Sequence, residues 1–241
     1  MLQKTRAVVL HCTEYAEASL IVKAYTAENG MQSFLVNGVR KSKARYAANL
    51  FQPLSIIEVV AYIKKPGGLH RVSDVSASPA LSNIPYDIVK TTMAIFLGEV
   101  LYRSIKEEEI NPELFTFIDH AVQILDVHHE TVSRFHLCFM LQLSRFLGFF
   151  PSGKYDAVTP WFDLKEGTFQ EHRPNHPYFL DPILSERFYA LLSISLEDVS
   201  EIKLTAQQRK SILEALIGYY ELHHTQGSRI KSHEILNEVL S

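Results

Sequence analysis

The sequence predicts an α+β protein: a five-stranded β-barrel followed by an α-helical domain that carries a small hairpin insertion. Three observations predict it. Over the first 80 residues, short β-branched runs are separated by Asn-Gly and Pro-Gly-Gly turn signals. Beyond them, apolar residues recur at helical spacing. The charge changes sign at the same place: residues 1–80 carry ten Lys/Arg and five Asp/Glu, net +5, and the remainder carries 14 and 22, net −8. A length of 241 residues suits one large domain or two small ones. A Ser/Ala/Pro-containing stretch at residues 76–83 places the boundary, with a barrel over 1–80 and helices over 81–241.

The front third divides into strands in order. Residues 7–13 form a valine-rich run, and residues 20–25 form a second. Glu28-Asn29-Gly30 turns the chain, since Asn-Gly tolerates positive φ. Residues 31–36 form a third strand, ended by Asn37-Gly38. Residues 54–63 are a long β-branched run, and Pro66-Gly67-Gly68 returns it into residues 69–75. Five strands at this spacing make a small barrel; the OB-fold is the first expectation and an SH3-like barrel its competitor. Between Gly38 and Leu54 the pattern lapses into a basic, helix-compatible stretch, read as a loop or single helical turn.

The period then changes from two to 3.6. Residues 86–105 form a helix, and Asn111-Pro112 starts a second whose stripe is Leu114, Ile118, Ala121 and Leu125. Residues 132–147 are apolar on most sides, which predicts a central helix. The helical pattern breaks over about 150–177, where residues 161–169 read as a hairpin turning at Glu166-Gly167. A helix resumes over 183–192, Thr205-Ala206-Gln207-Gln208 is a capping box opening another, and a last helix spans about 232–240.

Signatures of catalysis are missing. There is no phosphate loop, no Gly-x-Gly-x-x-Gly, no His-Glu-x-x-His and no Gly-x-Ser-x-Gly, so an enzyme is not expected. No apolar run is long enough to cross a membrane, and residues 1–10 lack the layout of a signal peptide, which makes the cytoplasm the expected compartment. Cys12 and Cys138 sit in apolar surroundings and read as small buried hydrophobes. The neighbouring pairs His128-His129 and His223-His224 point about 100° apart on a helix, and His172 with His176 lack Cys, Asp or Glu at metal spacing. Glu107-Glu108-Glu109 reads as a solvated acidic loop, and Tyr219-Tyr220 as core.

One cluster departs from that pattern. Arg40, Lys41, Lys43 and Arg45 fall within six residues, beside Tyr46; Lys64 and Lys65 precede the Pro-Gly-Gly turn and Arg71 follows it. On a barrel these can share a face with Lys4 or Arg6 and with Lys23, with Tyr25, Phe34, Tyr46 and Tyr62 interleaved. Cations that track phosphates beside rings that stack bases are how single-stranded nucleic acid is held. The competing expectation is an adaptor whose barrel binds a peptide instead.

The order of these features resembles the RecO family of recombination mediators. The resemblance is carried by Tyr15-Ala16-Glu17-Ala18-Ser19-Leu20-Ile21-Val22, Thr26-Ala27-Glu28-Asn29-Gly30, Gly38-Val39-Arg40-Lys41-Ser42-Lys43 and Phe51-Gln52-Pro53-Leu54. It continues through Asn111-Pro112-Glu113-Leu114-Phe115, Leu147-Gly148-Phe149-Phe150-Pro151, Tyr220-Glu221-Leu222-His223-His224 and Lys231-Ser232, in one order along nearly the whole chain. It implies an N-terminal OB-fold and a helical C-terminal domain. It also implies binding of single- and double-stranded DNA, strand annealing, and help in loading RecA recombinase, with RecR, onto DNA coated by single-stranded-DNA-binding protein. Many members of the family place four zinc-binding cysteines after Leu-Gly-Phe-x-Pro. Residues 152–177 of this chain have none, so no structural zinc or other cofactor is expected.

Overall fold

The computed structural model describes every residue except 16–17, 40–45, 64–67, 106–109, 129–131, 225–228 and 241. It divides into two compact units, Met1–Val127 and His128–Ser241.

Unit 1 opens with β1 (Leu2–Tyr15), β2 (Ser19–Thr26), β3 (Gly30–Asn37), β4 (Ile56–Tyr62) and β5 (Leu69–Ala77). They close in the order β1-β2-β3-β5-β4, which is the OB-fold expected from the strand spacing. All pairs are antiparallel except β3 with β5, joined over Ser33–Leu35 and Leu69–Arg71. The Asn-Gly turn behaves as expected, with Gly30 at a φ of 61°. Two strand starts differ from the sequence reading by two residues or more. β1 begins at Leu2 because its first residues, polar ones included, pair with β4 from Leu2↔Tyr62 onward. β4 begins at Ile56, not residue 54, because Leu54 adopts a φ of 64° and its N–H bonds to the Val9 carbonyl. The lapse before β4 contains one 3-10 turn, Ala48–Phe51.

Alternation places Ala7, Val9, Val22, Ala24, Phe34, Val36, Ile57, Val59, Ala61 and Val75 in the barrel core. β1 is buried on its other side too, through Val8 and Leu10. Leu10 is the extra residue of a β-bulge, since Val9 pairs with Ala24 and His11 with Lys23.

That outer side is covered by α1 (Ile88–Ser104) and α2 (Pro112–Val127). Gly98 permits the close approach of α1: a Cβ there would lie 3.0 Å from the Leu10 carbonyl oxygen and from Pro53 Cβ. The connector from barrel to helices is pinned at Asp126, whose carboxylate accepts from the N–H groups of Ser82, Asn83 and Ile84, each at 2.8 Å. Buried Lys90 donates to the Asp126 carbonyl at 2.6 Å, and burial lowers its pKa against the opposing pull of Asp126 and Asp87.

Unit 2 contains α3 (Val132–Phe146), three short strands β6 (Trp161–Asp163), β7 (Thr168–Gln170) and β8 (Phe179–Leu180), then α4 (Pro182–Leu192), α5 (Ala206–His223) and α6 (His233–Val239). The capping box at Thr205 and Gln208 is formed in both directions. α3 is the central helix and packs against α4 and α5. The expected hairpin gains a third strand, ordered β7-β6-β8. It rests on rings: Phe162 lies 4.6 Å from Phe188, 4.9 Å from Phe169 and 6.1 Å from Tyr219, centroid to centroid. Tyr219 and Tyr220 are core, as expected, and their hydroxyls donate to the Phe149 and Met140 carbonyls at 2.6 Å.

The residues at the hairpin do not fit a zinc ion. Buried Asp163 already accepts from the Lys165 and Glu166 N–H groups and from Gln170, and His176 Nε2 lies 3.2 Å away. Among the described residues no group of three or more His, Cys, Asp or Glu is arranged to hold a metal. Burial pushes the Cys12 and Cys138 thiols up to about 12, consistent with inert packing residues.

Candidate nucleic-acid interface

The register of the barrel decides which side chains share its outer surface, because residues directly opposite on paired strands point the same way. One outward row runs His11, Lys23, Ser33, Leu69 across β1, β2, β3 and β5. The next runs Thr13, Ile21, Leu35, Arg71, Tyr62 and continues onto β4. The face therefore holds two cations, an exposed ring and an aliphatic floor of Ile21, Leu35 and Leu69. Neither Lys23 nor Arg71 forms an ion pair among the described residues. Strand spacing sets these two about 10–12 Å apart.

The other described candidates are engaged elsewhere. Arg6 points outward from β1 toward α2, where its Nη2 lies 2.8 Å and 3.0 Å from the two carboxylate oxygens of Asp119. That pairing makes it a clamp between barrel and helix. Lys4, also outward, pairs with Glu58 at 2.8 Å.

Tyr46 is not a stacking ring. It is 8% exposed, and its hydroxyl bonds to the Ser73 carbonyl and the Asp74 carboxylate of β5. Ser73 is the bulge residue of β5, left between the pairs Val60↔Asp74 and Ala61↔Val72, so Tyr46 satisfies a carbonyl that the ladder leaves open. Tyr25 and Phe34 are each 1% exposed: Phe34 faces the barrel interior and Tyr25 lies under Phe115 of α2. Of the four rings named from the sequence, Tyr62 is the accessible one, at 48%.

Arg40, Lys41, Lys43, Arg45, Lys64 and Lys65 lie outside the described residues. The chain connects them to described anchors. The first four lie between buried Val39 and buried Tyr46, and the two lysines lie between Tyr62 and Arg71, which are paired in register. In OB-folds generally, the strand 2–3 face and the loop between strands 4 and 5 bind oligonucleotides and oligosaccharides. Sequence reasoning passed over the exposed His11, which sits in register with Lys23 and stacks on Tyr102 of α1 at 4.9 Å. The 90 residues between them leave no local pattern to read.

In unit 2 three cations sit over rings: Arg145 lies 3.8 Å from the centroid of Phe150, and Lys165 and Arg173 lie 5.1 Å from those of Tyr178 and Phe179. His136 of α3 is fully buried, and burial, followed by the nearby Arg209 guanidinium of α5, lowers its pKa to about 3.

Residues 1–79 match the family model described as recombination protein O N terminal, and residues 85–234 match the one described as recombination protein O C terminal. The chain is 36% identical over 241 residues to the DNA repair protein RecO of Phocaeicola vulgatus, covering 100% of both chains. It is 35% identical over 240 residues to that of Bacteroides fragilis, covering 99% of each. The identity to that of Porphyromonas gingivalis is 27% over 243 residues, covering 98% of each.

Proposed function

Because this chain belongs to the RecO family of DNA repair proteins, we propose that it is a non-catalytic recombination mediator whose barrel binds DNA through the outer face carrying Lys23, Arg71 and Tyr62. The observation that carries this reading is the split among the cations. Lys4 and Arg6 are paired with carboxylates, whereas Lys23 and Arg71 share one open surface with an exposed ring. Unpaired cations release counterions when they meet phosphates, and an exposed ring stacks an unpaired base. Arg40, Lys41, Lys43, Arg45, Lys64 and Lys65 join the same interface in this reading.

The finer role follows the family. The protein binds single- and double-stranded DNA, promotes annealing, and with RecR assists RecA loading onto DNA coated by single-stranded-DNA-binding protein, in the cytoplasm. Among the described residues no helix is long and apolar enough to cross a membrane.

The test is a fluorescence-anisotropy titration of labelled single-stranded DNA against salt. Replacing Lys23 and Arg71 by Ala together lowers affinity and flattens the log–log salt slope by about 0.7 for each phosphate no longer neutralised. Unchanged affinity and slope in a folded variant would remove this face from the interface. A wild-type protein without salt-sensitive binding would favour the peptide-binding adaptor.

A further inference from the structure

We propose that His11 and Tyr102 form a base-stacking platform specific for single-stranded DNA, extending the barrel interface onto the first helix. The inference rests on the reading that the outer barrel face binds DNA.

Two exposed rings from distant parts of the chain lie 4.9 Å apart with planes only 18° from parallel. Tyr102 is 37% exposed on a helix whose side chains are mostly buried. Each ring of a stacked pair keeps one face turned away from its partner, and a nucleobase can add to such a face as a further ring. The location supports this use. His11 pairs in register with Lys23, so a cation able to meet a phosphate stands beside the platform. At the far side of the same surface, Tyr62 pairs in register with Arg71. The sequence of groups across β1, β2, β3, β5 and β4 is therefore ring, cation, aliphatic floor, cation, ring. Four strand spacings separate the two ends, about 19 Å around the barrel surface. A strand following that path places phosphates at Lys23 and Arg71 and unstacked bases at His11–Tyr102 and at Tyr62.

Strand preference follows. Bases within a duplex are already stacked and paired, so duplex DNA gains the cations but not the rings. Loss of the platform weakens single-strand binding alone, whereas loss of the cations weakens both.

The experiment compares His11→Ala, Tyr102→Ala, the two combined, Tyr102→Phe and the Lys23→Ala/Arg71→Ala pair in the full-length protein. Labelled oligothymidylate and a duplex of equal length are titrated by anisotropy, with thermal melting as the control for folding. Each ring deletion is expected to weaken oligothymidylate binding about tenfold and leave duplex binding unchanged. Tyr102→Phe retains wild-type affinity. The double ring deletion costs less than the product of the two single losses, because both rings build one surface. Equal loss on both ligands would overturn the proposal and make the stack a clamp of α1 on β1. Unchanged oligothymidylate binding in His11→Ala, with the Lys23→Ala/Arg71→Ala pair still impaired, would overturn the platform and leave the barrel-face reading standing. If the cation pair also has no effect, the barrel-face reading fails with it.

Discussion

The barrel of unit 1 and the hairpin of unit 2 are both small sheets rich in aromatic residues, and they use those rings in opposite ways. In the hairpin, strands of three, three and two residues cannot make a core from their own ladders. The rings of Phe162, Phe169, Phe188 and Tyr219 turn inward and supply one, and cations above neighbouring rings have those rings as partners. In the barrel, thirteen buried residues fill the interior, so the sheet does not depend on rings at its surface. There Tyr62 and the His11–Tyr102 pair remain accessible, beside two cations that have no carboxylate partner among the described residues. Aromatic content alone therefore does not separate structural from binding rings. What separates them is whether the fold has other material with which to fill its core.

The largest expected effect tests this division. Phe162→Ala removes a fully buried ring from the centre of the hairpin cluster and should cost about 3–5 kcal/mol of stability, read as a lowered denaturant midpoint. Tyr62→Ala on the open barrel face should stay within about 0.5 kcal/mol of wild type, as surface substitutions usually do. Comparable losses from the two substitutions would break the distinction, because the barrel surface would then be part of its core.

Much of this division is legible in the chain, but not all of it. The Asn-Gly and Pro-Gly-Gly turns mark where strands end and begin, and the change of period predicts where helices begin. Phe34 faces inward with Gln32 and Val36, two residues away on either side, while Ser33 and Leu35 between them face outward. Alternation does not account for the burial of Tyr25: it turns the ring outward, and only the packing of Phe115, 90 residues later, buries it. Arg6 reads as a candidate phosphate ligand until Asp119 is brought beside it. The run Val8-Val9-Leu10 conceals a bulge, because β1 is buried on both sides and alternation carries no signal there. Local pattern predicts elements and their faces; long-range packing decides which outward side chains stay available.

An intermediate effect concerns acid stability. His136 is buried without its proton, with a pKa of about 3 against an ordinary value near 6.5. Below pH about 6.5 the unfolded chain takes up a proton that the folded chain refuses. The stabilising difference is complete above that pH and is lost at about 1.4 kcal/mol per pH unit as pH falls toward 3. His136→Gln removes the titrating group, so the acid limb of stability against pH should become shallower. An unchanged limb would assign acid sensitivity to other groups. Single-strand affinity measured where the protein is fully folded should be the same in His136→Gln and wild type, because α3 belongs to the helical unit and not to the barrel face.

The smallest expected effect, which is none, tests whether rings suffice where many family members use zinc. The hairpin lacks cysteine, and Asp163 spends its oxygens on two backbone N–H groups and Gln170, with His176 alongside. A metal would have to displace those donors and would find no thiolate in exchange. Treatment with a chelator should leave the melting temperature unchanged, and elemental analysis should find zinc well below one ion per chain. Stoichiometric zinc, or a melting temperature that falls on chelation and recovers with added metal, would show that the aromatic cluster does not hold the hairpin by itself. In that case the predicted loss in Phe162→Ala would depend on metal content. Measuring that variant with and without chelator therefore separates ring packing from metal binding as the source of hairpin stability.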